Sequence, residues 1–158
     1  MAFGYRMEAI SIIGTNVMLP RGLVGLGYDT LDYCQPELAN ALNLLSQQST
    51  YPTLVHCTQG KDRTGIVNAL LLFLLEVPLE AISNDYTMSE KELLPLREKM
   101  LGEIHEIGLS DEFAGCPKDW IYRMDEHINQ KYGGIKAYLE HIGVGKDVQT
   151  RIIEILQG

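Results

Sequence analysis

Basic residues are scarce in this chain: 13 lysines and arginines stand against 21 aspartates and glutamates, a formal charge of −8 over 158 residues. A polyanion is gripped through a basic stripe that displaces its counterions. No such stripe is present, which excludes broad nucleic-acid binding. Cysteine is rarer still. Cys34, Cys57 and Cys116 form no CxxC pair and no metal-ligand spacing, so no metal centre is expected, and an odd count fits a reducing, cytoplasmic compartment. Long apolar runs are missing too. The longest, Ala69 to Leu75, falls far short of the ~20 residues that span a bilayer, and Met1 to Glu8 lacks the apolar centre of a signal peptide. The expectation is a soluble protein without an integral membrane segment. With no linker, repeat or low-complexity stretch, residues 1–158 read as a single domain.

Against that background one segment stands out, His56-Cys57-Thr58-Gln59-Gly60-Lys61-Asp62-Arg63-Thr64-Gly65. The β-branched run Thr53 to His56 before it reads as a buried strand, and Thr64 to Leu75 after it reads as an apolar helix. A loop between such elements aims its backbone N–H groups at one point, where phosphate oxygens bind. Cys57 at its base suits a nucleophile, because positive charge and a helix N-terminus pull a thiol below its free pKa of ~8.5. Arg63, six positions on, offers a planar two-toothed donor for equatorial oxygens. The amides of Thr58, Gln59, Gly60, Lys61, Asp62 and Arg63 complete the cradle, and Lys61 adds a cation suited to a second phosphate. A nucleotide P-loop is excluded: Val55 stands where its first glycine belongs, and Asp62 where its Ser or Thr follows the lysine.

Supporting residues carry two readings each. Thr64 suits a hydroxyl donor to the Cys57 sulfur and equally a helix N-cap. His56 either orients the cradle or simply ends the strand. Asp62 serves as the acid for the leaving oxygen or as a structural carboxylate between two cations, with Asp29 and Asp32 as substitute acids. Arg21 lies within reach of a substrate or merely in solvent. Cys34 and Cys116 read as packing residues, since neither spacing forces proximity to Cys57.

Elsewhere, apolar spacing predicts a helix over Arg6 to Val17, a glycine-rich loop over Arg21 to Gly27, and a helix from Pro36 to about Gln48. A short helix from Pro78 follows, then one from Ser89 through Glu90 to Ile107 bent at Pro95. Lys118 to Lys131 forms a further helix closed by Gly133-Gly134, and two short helices finish the chain.

The loop resembles the His-Cys-x5-Arg-Thr signature of cysteine-dependent phosphatases, and with Gly60-Lys61-Asp62-Arg63-Thr64-Gly65 it is most similar to the atypical protein-tyrosine/serine phosphatases. Gly25-Leu26-Gly27-Tyr28, Tyr51-Pro52, Asp85-Tyr86 with Ser89, and Tyr132-Gly133-Gly134 extend the likeness from about Arg21 to Leu156. The resemblance implies an α/β, cysteine-phosphatase-like fold, mainly helical with a small, incomplete, mostly parallel sheet. It implies Cys57 as nucleophile, Arg63 as phosphate ligand and Asp62 as general acid, without cofactor or metal. Family members carry ahead of this part a region with sheet strands and an Asn-Phe-Arg-Asp type motif, which Met1 to Pro20 lacks, so the domain is expected to be short at its N-terminus. The function implied is a phosphate monoester hydrolase working through a cysteinyl-phosphate, protein-tyrosine or dual-specificity in type. Phosphoinositide hydrolysis and a non-catalytic phosphate-binding pseudophosphatase or truncated gene product are the alternatives. A phosphorylated protein or phosphoinositide is the expected partner.

Overall fold

The computed structural model describes residues 5–158, and every regular element among them is helical. Helix α1 (Arg6–Ile13) runs through a π-helical turn (Gly14–Met18) into α2 (Leu19–Tyr33). Next come α3 (Gln35–Leu45), α4 (Asp62–Leu74), α5 (Leu79–Glu92) and α6 (Arg97–Glu106). The chain closes with α7 (Trp120–Tyr132), α8 (Ile135–His141) and α9 (Lys146–Gln157).

The expectation of a mostly parallel sheet is overturned. Thr53 to His56 carries no strand, and no strand exists among the described residues. Its composition favours extended backbone, but a strand exists only where its N–H and C=O groups meet those of a neighbour, and none of the described residues pairs with it. Leu54 is left 83% exposed as a result. The expectation of a mainly helical chain holds.

Helix α4 sits at the centre. It is apolar nearly all round, with Ile66, Val67, Ala69, Leu70, Phe73 and Leu74 buried, as a helix covered on several sides requires. Leu42 and Leu45 of α3, Trp120, Ile121 and Met124 of α7, Leu139 of α8 and Ile152 of α9 complete this core. A second, smaller core joins Met100, Ile104, Leu109, Phe113 and Ala114 to Met18, Leu23 and Leu26.

The glycine-rich stretch expected as a loop is helical. Gly22 (φ 62°) kinks the long helix instead of ending it, and Gly27 lets α2 approach α7 so closely that a Cβ there would lie 2.8 Å from the Met124 sulfur. The Trp120 indole N–H donates to the Leu23 carbonyl (3.3 Å) across the same contact. Length and composition make the stretch Arg6–Tyr33 apolar enough to cross a membrane, and only 6% of its most apolar window is buried. Counting uninterrupted apolar runs missed it, because Gly, Ser, Thr and Asn break the run without adding charge. The helix expected from Ser89 to Ile107 is divided: α5 continues to Glu92, a 3-10 turn at Leu94–Leu96 accommodates Pro95, and α6 follows.

Candidate active site

The segment 57–63 wraps the N-terminus of α4 at the base of a cavity of about 550 Å³. Cys57, Thr58, Gln59, Asp62 and Arg63 all line it. The Gly60 amide donates to the Cys57 sulfur at 3.3 Å. Burial by itself would raise the Cys57 pKa; the Thr64 hydroxyl and the amides of Thr64, Gln59 and Gly60 outweigh it and bring the thiol down to about 7. Roughly half the sulfur is then thiolate at neutral pH, against a few per cent for a free cysteine. Thr64 is buried at the start of α4, and its hydroxyl meets no hydrogen-bond partner among the described residues that would compete for it with the sulfur.

Arg63 donates from Nη2 to the Thr58 hydroxyl (3.1 Å), which fixes part of the guanidinium while the side chain stays exposed to the cavity. His56 is exposed, and its Nδ1 lies 3.4 Å from the Cys57 carbonyl oxygen rather than near the sulfur. Lys61 does not point into the cavity. Its side chain is fully buried on the far side of the loop, in a cleft with Gly65, Asn68 and Tyr86. There Nζ donates to both Asp62 oxygens at 2.8 and 3.0 Å. Asp62 is therefore tethered from behind while 41% of its side chain stays open.

The substitute acids separate. Asp29 lines the cavity and is held by Arg21, whose Nε donates to Oδ2 at 2.8 Å. Asp32 lies outside it and accepts from Tyr132 (2.7 Å), Lys131 (2.8 Å) and His127 (2.9 Å). Tyr86 packs over Gly65 of the catalytic helix and stacks on Trp120 with ring centroids 4.9 Å apart. Cys116 is buried beside it, and burial raises its pKa. Cys34, by contrast, shares the cavity with Cys57, which spacing gave no reason to expect. Also missed were the walls: Leu23 and Leu26 from α2 face Ile104, Ile107, Leu109 and Phe113 from the smaller core. Among the described residues, no group of three or more His, Cys, Asp and Glu converges on a point that would hold a metal ion.

The sequence profile described as the tyrosine phosphatase family matches residues 22–157. The chain belongs to that family. Among the phosphatases it is similar to is a tyrosine-protein phosphatase of Nostoc commune, 31% identical over 157 residues that cover 88% of this chain and 53% of the relative. Another is the triple specificity protein phosphatase PtpB of Mycobacterium tuberculosis, 27% identical over 146 residues that cover 83% of this chain and 52% of the relative. The chain spans about half the length of these curated relatives.

Proposed function

We infer that this member of the tyrosine phosphatase family hydrolyses phosphate monoesters through a cysteinyl-phosphate. The observation that carries this reading is a cysteine brought down to about 7, at the base of an open cavity and flanked by an arginine and a turn of amides. The Cys57 thiolate attacks phosphorus in line while Arg63 and the loop amides take the equatorial oxygens. The ester P–O bond breaks, and Asp62 gives its proton to the departing oxygen. Water then attacks the phosphorus of the cysteinyl-phosphate, Asp62 takes the proton, and the sulfur leaves as thiolate assisted by the Thr64 hydroxyl, releasing inorganic phosphate.

The proposed substrate is an aryl phosphate, with protein phosphotyrosine foremost. The cavity walls are apolar, and Arg63 is the one cationic side chain among the residues lining it. Because Lys61 is spent on Asp62 behind the loop, a headgroup bearing several phosphates finds no second cation there, which weighs against phosphoinositide. A reducing, cytoplasmic setting is proposed on the three unpaired thiols.

Cys57→Ser tests the proposal directly. Turnover of nitrophenyl phosphate should vanish while vanadate binding persists; residual hydrolysis at more than a few per cent would remove Cys57 as nucleophile. If the parent itself binds vanadate without turning over any aryl phosphate, the chain is a phosphate-binding module.

A further inference from the structure

The wall that α2 gives the catalytic cavity carries one carboxylate, and that carboxylate is held from outside. Leu23, Leu26, Asp29, Thr30 and Tyr33 line this wall. The Thr30 hydroxyl is spent on the Leu26 carbonyl (2.8 Å), and Tyr33 is largely exposed. Asp29 remains as the strong acceptor, with 32% of its side chain open. One guanidinium holds both its oxygens: Arg21 donates from Nε to Oδ2 at 2.8 Å and from Nη2 to Oδ1. Arg21 itself does not line the cavity. Ion pairs along a helix ordinarily join residues three or four apart; these two are eight apart, about 12 Å along a helix axis. Gly25, halfway, makes the span possible. It is buried, and a Cβ there would stand 3.2 Å from the Arg21 Cβ and 3.5 Å from its Nε, so the arginine lies across the place a side chain would take. An exposed pair of this kind adds little to stability. What it fixes is the plane and direction of the Asp29 carboxylate.

Resting on the reading of the chain as a phosphate monoester hydrolase, we propose that Asp29 is a specificity-determining residue that accepts a main-chain N–H of a phosphotyrosine peptide. Each carboxylate oxygen has two acceptor sites. Arg21 occupies one on each, and a donor inside the cavity takes one of the others. A neutral donor fits better than a cation, because Arg21 already balances the charge of Asp29 and a substrate cation would be set beside a guanidinium. An amide N–H needs only the acceptor. The same balance lets a phosphate dianion pass this wall, which matters where Arg63 is the one cationic side chain lining the cavity. A free aryl phosphate has no main chain, so this contact separates peptides from small substrates.

The test compares a phosphotyrosine peptide with nitrophenyl phosphate on the parent, Asp29→Ala and Arg21→Met. In Asp29→Ala the ratio of kcat/KM, peptide over nitrophenyl phosphate, should fall roughly tenfold or more, as loss of one hydrogen bond to a charged acceptor implies, and chiefly through the peptide KM. Arg21→Met keeps the carboxylate but frees it, and should lose part of the same ratio. Methylating the peptide at the phosphotyrosine nitrogen or at the next one should cost the parent as much at one of the two positions, a measurement that needs no variant to fold, and should cost Asp29→Ala nothing further there. An unmoved ratio, equal losses on both substrates, or methylated peptides that the parent handles like the unmethylated one each overturn the proposal. So does a ratio that follows a lysine placed beside the phosphotyrosine and ignores the methyl group, since the donor would then be a cation. A parent that turns over neither substrate would instead sink the hydrolase reading. The same peptides titrated into Cys57→Ser, with and without Asp29→Ala, then read the contact as affinity alone, and an equal Kd in the two overturns it.

Discussion

At the scale of single residues, reactivity rests on how few atoms bear on the Cys57 sulfur. One hydroxyl and three amides outweigh the burial that opposes them, so each should be separately visible. The alkylation rate of Cys57 should rise with pH to a midpoint near 7, following the thiolate. Thr64→Val removes the hydroxyl while keeping the shape, and should move that midpoint upward and slow hydrolysis of the cysteinyl-phosphate. An unmoved midpoint would show that the amides alone set the thiol. Arg63→Lys keeps charge and loses the fork that Thr58 steadies, so turnover should fall by roughly two orders of magnitude or more. A variant within threefold of the parent would exclude Arg63 from transition-state binding. Asp62 divides its loyalties between Lys61 and the open cavity. Asp62→Ala should slow phosphotyrosine far more than nitrophenyl phosphate, whose leaving oxygen needs no proton; equal losses would make Asp62 a strut for the loop.

At the scale of elements, the reactive loop was legible because it is contiguous: nucleophile, amides and arginine follow one another between Cys57 and Arg63. Helices α3 and α7 were legible for a similar reason, with Pro36 opening one and Gly133 closing the other in a left-handed turn. Two misreadings have physical causes. Thr53 to His56 has strand-like composition, but pairing is a property of two segments and sequence pattern describes one. Arg21 to Gly27 has loop-like composition, yet Gly22 only kinks the helix and Gly27 serves its close contact with α7. The cavity walls were invisible because they join residues from 23–26 to residues from 104–113, far apart in the chain. Gly14 holds these two parts together, with space for no side chain: a Cβ there would stand 1.9 Å from the Ile107 carbonyl oxygen. Gly14→Ala should push the smaller core away from α2, lowering the melting temperature and weakening bulky aryl phosphates. The pH midpoint for Cys57 alkylation should stay where it was. If both stability and bulky-substrate KM are unchanged, the contact is looser than described.

At the scale of the whole molecule, the extended segment beside α3 leaves Leu54 and Leu44 bare, at 83% and 57% exposure. Unpaired extended backbone next to exposed aliphatics invites association between copies. The purified chain should self-associate at tens of micromolar, and Leu54→Lys should shift it toward monomer in size-exclusion chromatography. A parent that runs as a monomer throughout would dismiss this edge as a contact. Of the protein's lysines, Lys61 is sealed at 1% exposure, whereas Lys91, Lys99, Lys118, Lys131, Lys136 and Lys146 are all exposed. An amine-acetylating reagent should therefore mark those six in the native chain and spare Lys61 until the reactive loop opens. The mass of one peptide then becomes a gauge of loop integrity that works equally well in variants with no turnover at all.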